Sequence, residues 1–362
     1  LSDSSERFGS IFGALKKLFA GAKGNQLRHL QVLAAMVCGI VGSRKTNLPA
    51  IAGKTPLDAR EESIVKRFER WTRNESIDME TYFLPCAQAL LAALAHSPLV
   101  LVIDGSVVGR GCIALMVGVV YKKRVLPIAW LAAKGKKGHF PEDVHIALLE
   151  KVASILPEGA EVVLLGDGEF DGIDLQKVME SRRWKYVCRT AKNIRLSWQG
   201  EEFSFEDMGG HIAPGEDFDA PGVLFTEARY GPVLAIAWWR KDCKEPIYLV
   251  TNMEVVEEAC RFYAKRFAIE TFFSDQKSRG FHLHKSHIRD PKRLTRLMIA
   301  ACLAYWWIVY LGALAVNQGY LAIIHRKKRC DLSLFQIGLR FLDHLQRKGL
   351  SLPESFGECL IC

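Results

Sequence analysis

The apolar positions of this chain change period near residue 98. Before it they recur at helical spacing. Residues 27–41 carry one amphipathic repeat, with Gly42 as the expected stop. Asn47 is placed to cap a short helix over 48–54, and Pro56-Leu57-Asp58 restarts the chain into a third helix over 59–71. That third segment interleaves Arg60, Lys66, Arg67, Arg70 and Arg73 with Glu61, Glu62 and Glu69. Helix, short helix, basic helix suits a helix-turn-helix-like module for a DNA groove. A helical bundle with a solvated mixed-charge face has the same pattern, and both readings stand at this level.

From Pro98 the period becomes that of strands. Residues 99–104 form a continuous apolar run ending on Asp104, and strands over 112–121 and 124–131 follow across the turn at Lys122-Lys123. Residues 141–156 read as an amphipathic helix with Glu142 and Asp143 in the first turn. A buried strand over 161–166 then ends at Asp167, before a helix over 171–182 and a strand over 184–190. Three strands joined by short turns predict an antiparallel meander; the later strand–helix–strand units predict parallel pairs with right-handed crossovers. The expected fold class is therefore α/β, with a mixed sheet whose order resembles the ribonuclease H type. Around it stand a helical N-terminal domain (1–97), a β insertion at about 191–246 with strands over 233–240 and 246–251, and a helical C-terminal region (317–362). The core spans 98–316.

Composition narrows the class. The 362 residues are 49% hydrophobic and 25% charged, which excludes global disorder. Lys and Arg outnumber Asp and Glu by 49 to 40, a balance suited to a polyanionic partner. The ten cysteines include one close pair, Cys359 and Cys362, with no second pair at zinc spacing, so reduced thiols are expected. No secretory leader is legible at the N-terminus. Residues 298–316 contain no charge and are long enough for a membrane span. A helix buried on all sides is the preferred reading, because only this segment qualifies and it follows a strongly basic stretch.

Three carboxylates stand where chemistry is expected. Asp104 and Asp167 close apolar strands, and Glu270 lies on a helix expected over about 254–279. An acid at a buried strand end is costly unless paired. Clustered carboxylates suit a pair of divalent cations, which prefer oxygen ligands and can serve both oxygens of a phosphodiester displacement. For each acid taken alone, a turn cap is the preferred reading. On the helix, Tyr263, Arg266, Glu270 and Lys277 fall within about a 60° arc at roughly 100° per residue, with Ala264, Ala268 and Phe272 on the packing side. Glu for an ion, Arg and Lys for phosphate oxygens, and Tyr for a hydrogen bond or a stack make a candidate nucleic-acid stripe. A solvated Arg266–Glu270 pair, worth a few tenths of a kcal/mol, is the plain alternative. Residues 261–296 hold ten Lys/Arg against three acids, and basic runs at 134–137 and 326–329 extend the track. The segment 201–219 is the reverse, with seven acids and no Lys or Arg, and reads as a solvated loop.

The spacing Tyr263-x2-Arg266-x3-Glu270-x6-Lys277, with Asp104-Gly105-Ser106 and Asp167-Gly168-Glu169-Phe170 each after a strand, resembles the Tyr-Arg-Glu-Lys signature of DDE-type bacterial insertion-sequence transposases, the cut-and-paste insertion-sequence-four group. The resemblance covers about 98–316. It implies a metal-dependent transposase that binds terminal inverted repeats, cuts DNA at each element end and inserts it into target DNA. Asp104, Asp167 and Glu270 would hold two Mg²⁺ ions (Mn²⁺ as a substitute), and Tyr263, Arg266 and Lys277 would grip the DNA. The implied partners are double-stranded DNA and a second copy of the chain, with no membrane, in the bacterial cytoplasm at the nucleoid. Some relatives use a tryptophan in the insertion to hold a flipped base. Ile247 and Tyr248 occupy that neighbourhood here, while Trp238 and Trp239 are nearby aromatics with an expected core role. Glu169, Asp171 and Asp174 crowd Asp167, and His139 and His145 are further candidates for lining the site.

Overall fold

The computed structural model describes residues 2–136, 140–326 and 331–356. His139, Lys137, residues 327–329 of the second basic run and the Cys359/Cys362 pair lie outside the described residues.

The N-terminal part is helical throughout: α1 (Asp3–Leu18), α2 (Gly24–Ser43), α3 (Leu48–Ala52), α4 (Glu61–Arg73), α5 (Met79–Tyr82) and α6 (Leu84–Leu94). The Asn47 side chain accepts the Ala50 N–H at 3.0 Å and caps α3 as expected. Helix α4 buries Ile64, Phe68 and Trp71 on one face and exposes Lys66, Arg67, Arg70 and Arg73 on the other. Gly42 does not stop α2. The helix runs on to Ser43 and ends at Arg44 in the left-handed region, while Gly42 makes room for the Arg7 guanidinium, which a Cβ there would overlap.

Strands β1 (Leu99–Gly109), β2 (Cys112–Tyr121) and β3 (Arg124–Lys134) form the meander. Helix α7 (Glu142–Ala153) leads to β4 (Val162–Gly166), and α8 (Ile173–Ser181) leads to β5 (Lys185–Arg189). Both crossovers make parallel pairs, β1 with β4 and β4 with β5. The next segment supplies β6 (Arg195–Trp198), β7 (Glu201–Ser204), α9 (Phe205–Gly209), β8 (Asp217–Phe225), β9 (Tyr230–Trp238) and β10 (Ile247–Thr251). Strand β10 pairs antiparallel with β5, so all ten strands join one mixed sheet in the order β3-β2-β1-β4-β5-β10-β9-β8-β6-β7. The acidic segment is structured rather than a loop. Glu202 pairs with Arg195 and Arg229, Glu206 with Lys192, and Asp207 completes a capping box on α9.

The single long helix expected over 254–279 is broken into α10 (Val256–Tyr263) and α11 (Ala268–Gln276). Between them Lys265, Arg266, Ala268 and Ile269 donate their N–H groups to the carbonyls three residues back, at 2.9–3.1 Å. This tighter winding rotates the chain further per residue than an α-helix does. Ala264, expected to pack, is consequently exposed, while Tyr263 and Arg266 are buried.

Helix α12 (Pro291–Asn317) begins at the Asp290 cap and contains the apolar stretch. It packs against α2, β3 and, after the short α13 (Leu321–Ile324), against α14 (Leu334–Lys348). Its most apolar window is 89% buried within the protein, which is why it is apolar on every side. Helices α12 and α14 cross at Gly312 and Gly338, where a Cβ on either would overlap a carbonyl of the other helix.

Candidate active site

Register brings the two aspartates together. Val102 on β1 lies opposite Leu165 on β4 in a parallel pair, and two residues further along each segment stand Asp104 and Asp167. Asp104 does not close its strand. It sits mid-β1 opposite Met116, because the strand continues past the site to Gly109 with a bulge beyond Val107. Its side chain is 17% exposed, and its Oδ1 accepts the Gly105 N–H at 2.7 Å. Burial, then the negative charge of Asp167, push the Asp104 carboxyl up to about 7, against the pull of Arg266 and the Gly105 N–H.

Arg266, from the tight turn, reaches two of the acids, Asp104 and Glu270. Its Nη1 is 3.8 Å from Asp104 Oδ2, and its Nη2 donates to Glu270 Oε1 at 3.1 Å. The guanidinium lies over the Phe267 ring at 4.6 Å and the Tyr263 ring at 5.8 Å. Tyr263 is buried, and burial raises its phenol above the usual range while Arg266 and Arg189 oppose the shift. Lys277, just past α11, crosses the Phe273 ring and donates from Nζ to Ser106 Oγ at 2.6 Å. Burial lowers this ammonium's pKa, opposed by the Asp104 charge. All six predicted residues thus share one neighbourhood, formed by β1, the end of β4, the α10–α11 turn and α11 through its C-cap Lys277.

Glu270 is the exception in orientation. Its side chain is 59% exposed and turned to Arg266, and among the described residues no three His, Cys, Asp or Glu side chains are close enough to share a metal ion. Asp104 and Asp167 fit a hard divalent cation. They offer oxygen donors side by side, and burial together with the Asp167 charge drives Asp104 toward its neutral form, a penalty that a bound cation would relieve. Glu270 fits by type but is engaged elsewhere.

Of the acids crowding Asp167, Asp174 pairs with Lys177 at 2.9 Å and Asp171 accepts the Thr190 hydroxyl at 2.6 Å. Glu169 stays close: its N–H donates to Asp167 Oδ1 at 3.0 Å, and its Oε1 accepts the Phe140 N–H at 2.6 Å. His145 is buried, with Nε2 3.4 Å from Glu169 Oε1. Trp238 is only half-buried rather than in the core. The Arg240 guanidinium lies 5.5 Å from its ring and 6.0 Å from that of Phe267, itself 38% exposed. Trp239 donates to the Cys243 carbonyl at 3.2 Å, and Ile247 and Tyr248 are buried. Sequence reasoning assigned no role to Ser106, Phe267 or Arg240. Ser106 had a legible signal, since two residues past Asp104 on a strand it points to the same face.

Residues 140–307 match the family model of the transposase DDE domain. The DDE-domain match contains Asp167, Tyr263, Arg266, Glu270 and Lys277, and begins after Asp104 and Ser106. No curated protein matches the chain. A cryo-EM structure of a piggyBac transposase synaptic complex with hairpin DNA overlays at a TM-score of 0.48 and 14% identity, covering 98% of this chain and 83% of that one. The crystal structure of human ENDOV overlays at a TM-score of 0.25 and 14% identity, covering 62% of this chain and 96% of that one. Neither overlay carries a residue correspondence.

Proposed function

We propose that this chain is a DDE-type transposase that cuts DNA and joins the cut ends to a target, and that the insertion-sequence-four group is its place among such enzymes. The observation that carries the reading is the pairing of two strand-borne aspartates, one driven toward its neutral form, opposite Arg266 and Lys277. The DDE-domain match supports it. On this reading Asp104, Asp167 and Glu270 hold two divalent cations, Mg²⁺ or Mn²⁺. Bound cations would supply Lewis-acid charge neutralisation at the phosphodiester.

The chain's own residues prepare that reaction. Arg266 is shared between two carboxylates in the absence of DNA. A scissile phosphate entering the cleft offers it a bidentate anionic partner, and the exchange releases the Glu270 carboxylate toward Asp104 and Asp167. Tyr263 and Phe267 flank the guanidinium and restrict its swing. Lys277 presents a second cation to the phosphate. Water attacks first and leaves a 3′-hydroxyl; that hydroxyl then attacks the opposite strand to give a hairpin, or the target strand. Positioning and charge neutralisation dominate such displacements, so no dedicated protein base is required. Phe267, Trp238 and Arg240 provide an aromatic and cationic platform for an unstacked base if the hairpin forms.

The β3-β2-β1-β4-β5 half of the sheet supports a ribonuclease H-like core. The exposed Lys66, Arg67, Arg70 and Arg73 of α4 support DNA-end binding by residues 1–97. The 317–362 region is assigned to dimerisation, and the working place is the bacterial cytoplasm, at the nucleoid. Duplexes spanning the chromosomal borders of the gene, incubated with the protein and Mg²⁺, test the function. Cleavage at those borders that is lost in Asp104→Ala and Glu270→Ala is expected, and retained cleavage in either variant removes the proposed chemistry. A transposase-derived DNA-binding protein without cleavage is the second reading, favoured by the turned-away Glu270. Border binding with no nicking in Mg²⁺ or Mn²⁺ would select it. Cutting of DNA junctions regardless of terminal sequence would instead point to a structure-selective nuclease.

A further inference from the structure

We propose that Ser106 is a positioning residue that parks the Lys277 ammonium away from Asp104 and so keeps that carboxylate open to a divalent cation. The inference rests on the cation-holding role proposed for Asp104. Residues 104 and 106 are separated by one full pleat of β1, so their side chains leave the same face about 6.8 Å apart. Lys277 arrives on that face from the end of α11, its stem over the Phe273 ring, and its Nζ ends on Ser106 Oγ at 2.6 Å. The negative charge of Asp104 acts on that ammonium. A flexible lysine beside a half-buried carboxylate that Arg266 meets only at 3.8 Å has an electrostatic reason to close onto it. An ammonium seated there would occupy the lone pairs a cation needs and would turn its own protons away from an incoming phosphate. The Ser106 hydroxyl gives it another acceptor one pleat along. Arg266 cannot close the same gap, because its guanidinium is already divided between Asp104 at 3.8 Å and Glu270 at 3.1 Å.

The test is Mn²⁺ binding to the full-length protein without DNA, followed by electron paramagnetic resonance, in the wild type, Ser106→Ala, Ser106→Thr and the double variant Ser106→Ala/Lys277→Met. Ser106→Ala should weaken Mn²⁺ binding by about tenfold, in the range found when groups supporting a metal ligand are removed. Ser106→Thr, which keeps the hydroxyl, should bind nearly as the wild type does. The double variant should recover wild-type affinity, since the competing ammonium is gone. Ser106→Ala binding as tightly as the wild type overturns the inference. So does a double variant as weak as Ser106→Ala, because the loss would then come from the strand and not from Lys277. A wild-type protein that neither binds Mn²⁺ nor cuts border DNA overturns the reading beneath it, an outcome distinct from the other two.

Discussion

Asp104 should make the cation-free protein less stable than it could be, and Asp104→Asn measures by how much. The carboxyl is raised from 3.8 to about 7. A raised acid favours the folded state while it stays protonated, so its contribution is complete below pH 4 and is lost as pH rises through 7. Three units at about 1.4 kcal/mol each set a ceiling on the order of 4 kcal/mol for the ionised carboxylate at pH 8. Removing the charge also takes one partner from Arg266, so a net gain of about 2 kcal/mol is expected for the isosteric amide. With roughly 2 cal/mol/K per residue of unfolding entropy over 362 residues, that is a rise in Tm of about 3 °C. The assay is thermal unfolding in EDTA at pH 8, 6 and 4. The advantage of Asp104→Asn should be largest at pH 8 and fade toward pH 4, and Mg²⁺ should narrow it at pH 8 by stabilising the wild type alone. A variant no more stable than the wild type at pH 8, or a gap that ignores pH, would falsify the account of this carboxyl.

Other consequences are simpler to state. Arg296, buried on α12, donates to the Ile77 carbonyl at 2.7 Å and the Thr72 carbonyl at 3.1 Å. Arg296→Met leaves one carbonyl at the end of α4 and one in the α4–α5 connection without their donor and should cost about 3 kcal/mol in urea unfolding; a loss under about 1 kcal/mol would mean the clamp is idle. Gly338→Ala forces α14 off α12 at their closest crossing and should lower stability by about 3 kcal/mol, whereas a neutral result would place that crossing wrongly. Glu270→Gln should abolish cleavage of border DNA while leaving its binding within about threefold, since the side chain is 59% exposed and the amide oxygen can still accept from Arg266. Loss of binding in parallel would assign Glu270 to DNA contact instead.

The meander, the two parallel crossovers and the place of Asp167 just after β4 were legible because strand burial writes itself into short apolar runs, and helix amphipathicity into a longer period, whereas Asp104, expected to close its strand, lies in the middle of β1. Two aspartates at corresponding distances along strands one and four become neighbours once those strands pair, and the strand–helix–strand order already requires parallel partners in one sheet. The buried nature of α12 was also readable in outline, since an all-round apolar helix needs a solvent-free setting. Local patterns were less sufficient where the backbone departs from its regular form. The stripe calculation assumed one uninterrupted α-helix, and the turn at 264–267 reversed the exposure of Ala264 and buried Arg266. The acids of 201–219 looked like a loop because their partners, Arg195, Arg229 and Lys192, are paired with them only through the fold.

By itself, then, the sequence determined which residue types are available to the site and which elements carry them, because periodicity is a local property of burial. The i, i+4 spacing already offered the Arg266–Glu270 pair, and only the tertiary structure decided the other meetings: Arg266 with Asp104, Lys277 with Ser106, Glu169 with His145. Those pairings depend on side chains brought together from separate elements over distances of a few ångströms. Electrostatic energies at such distances change with each small rotation of a strand or helix, and no spacing along the chain encodes that rotation.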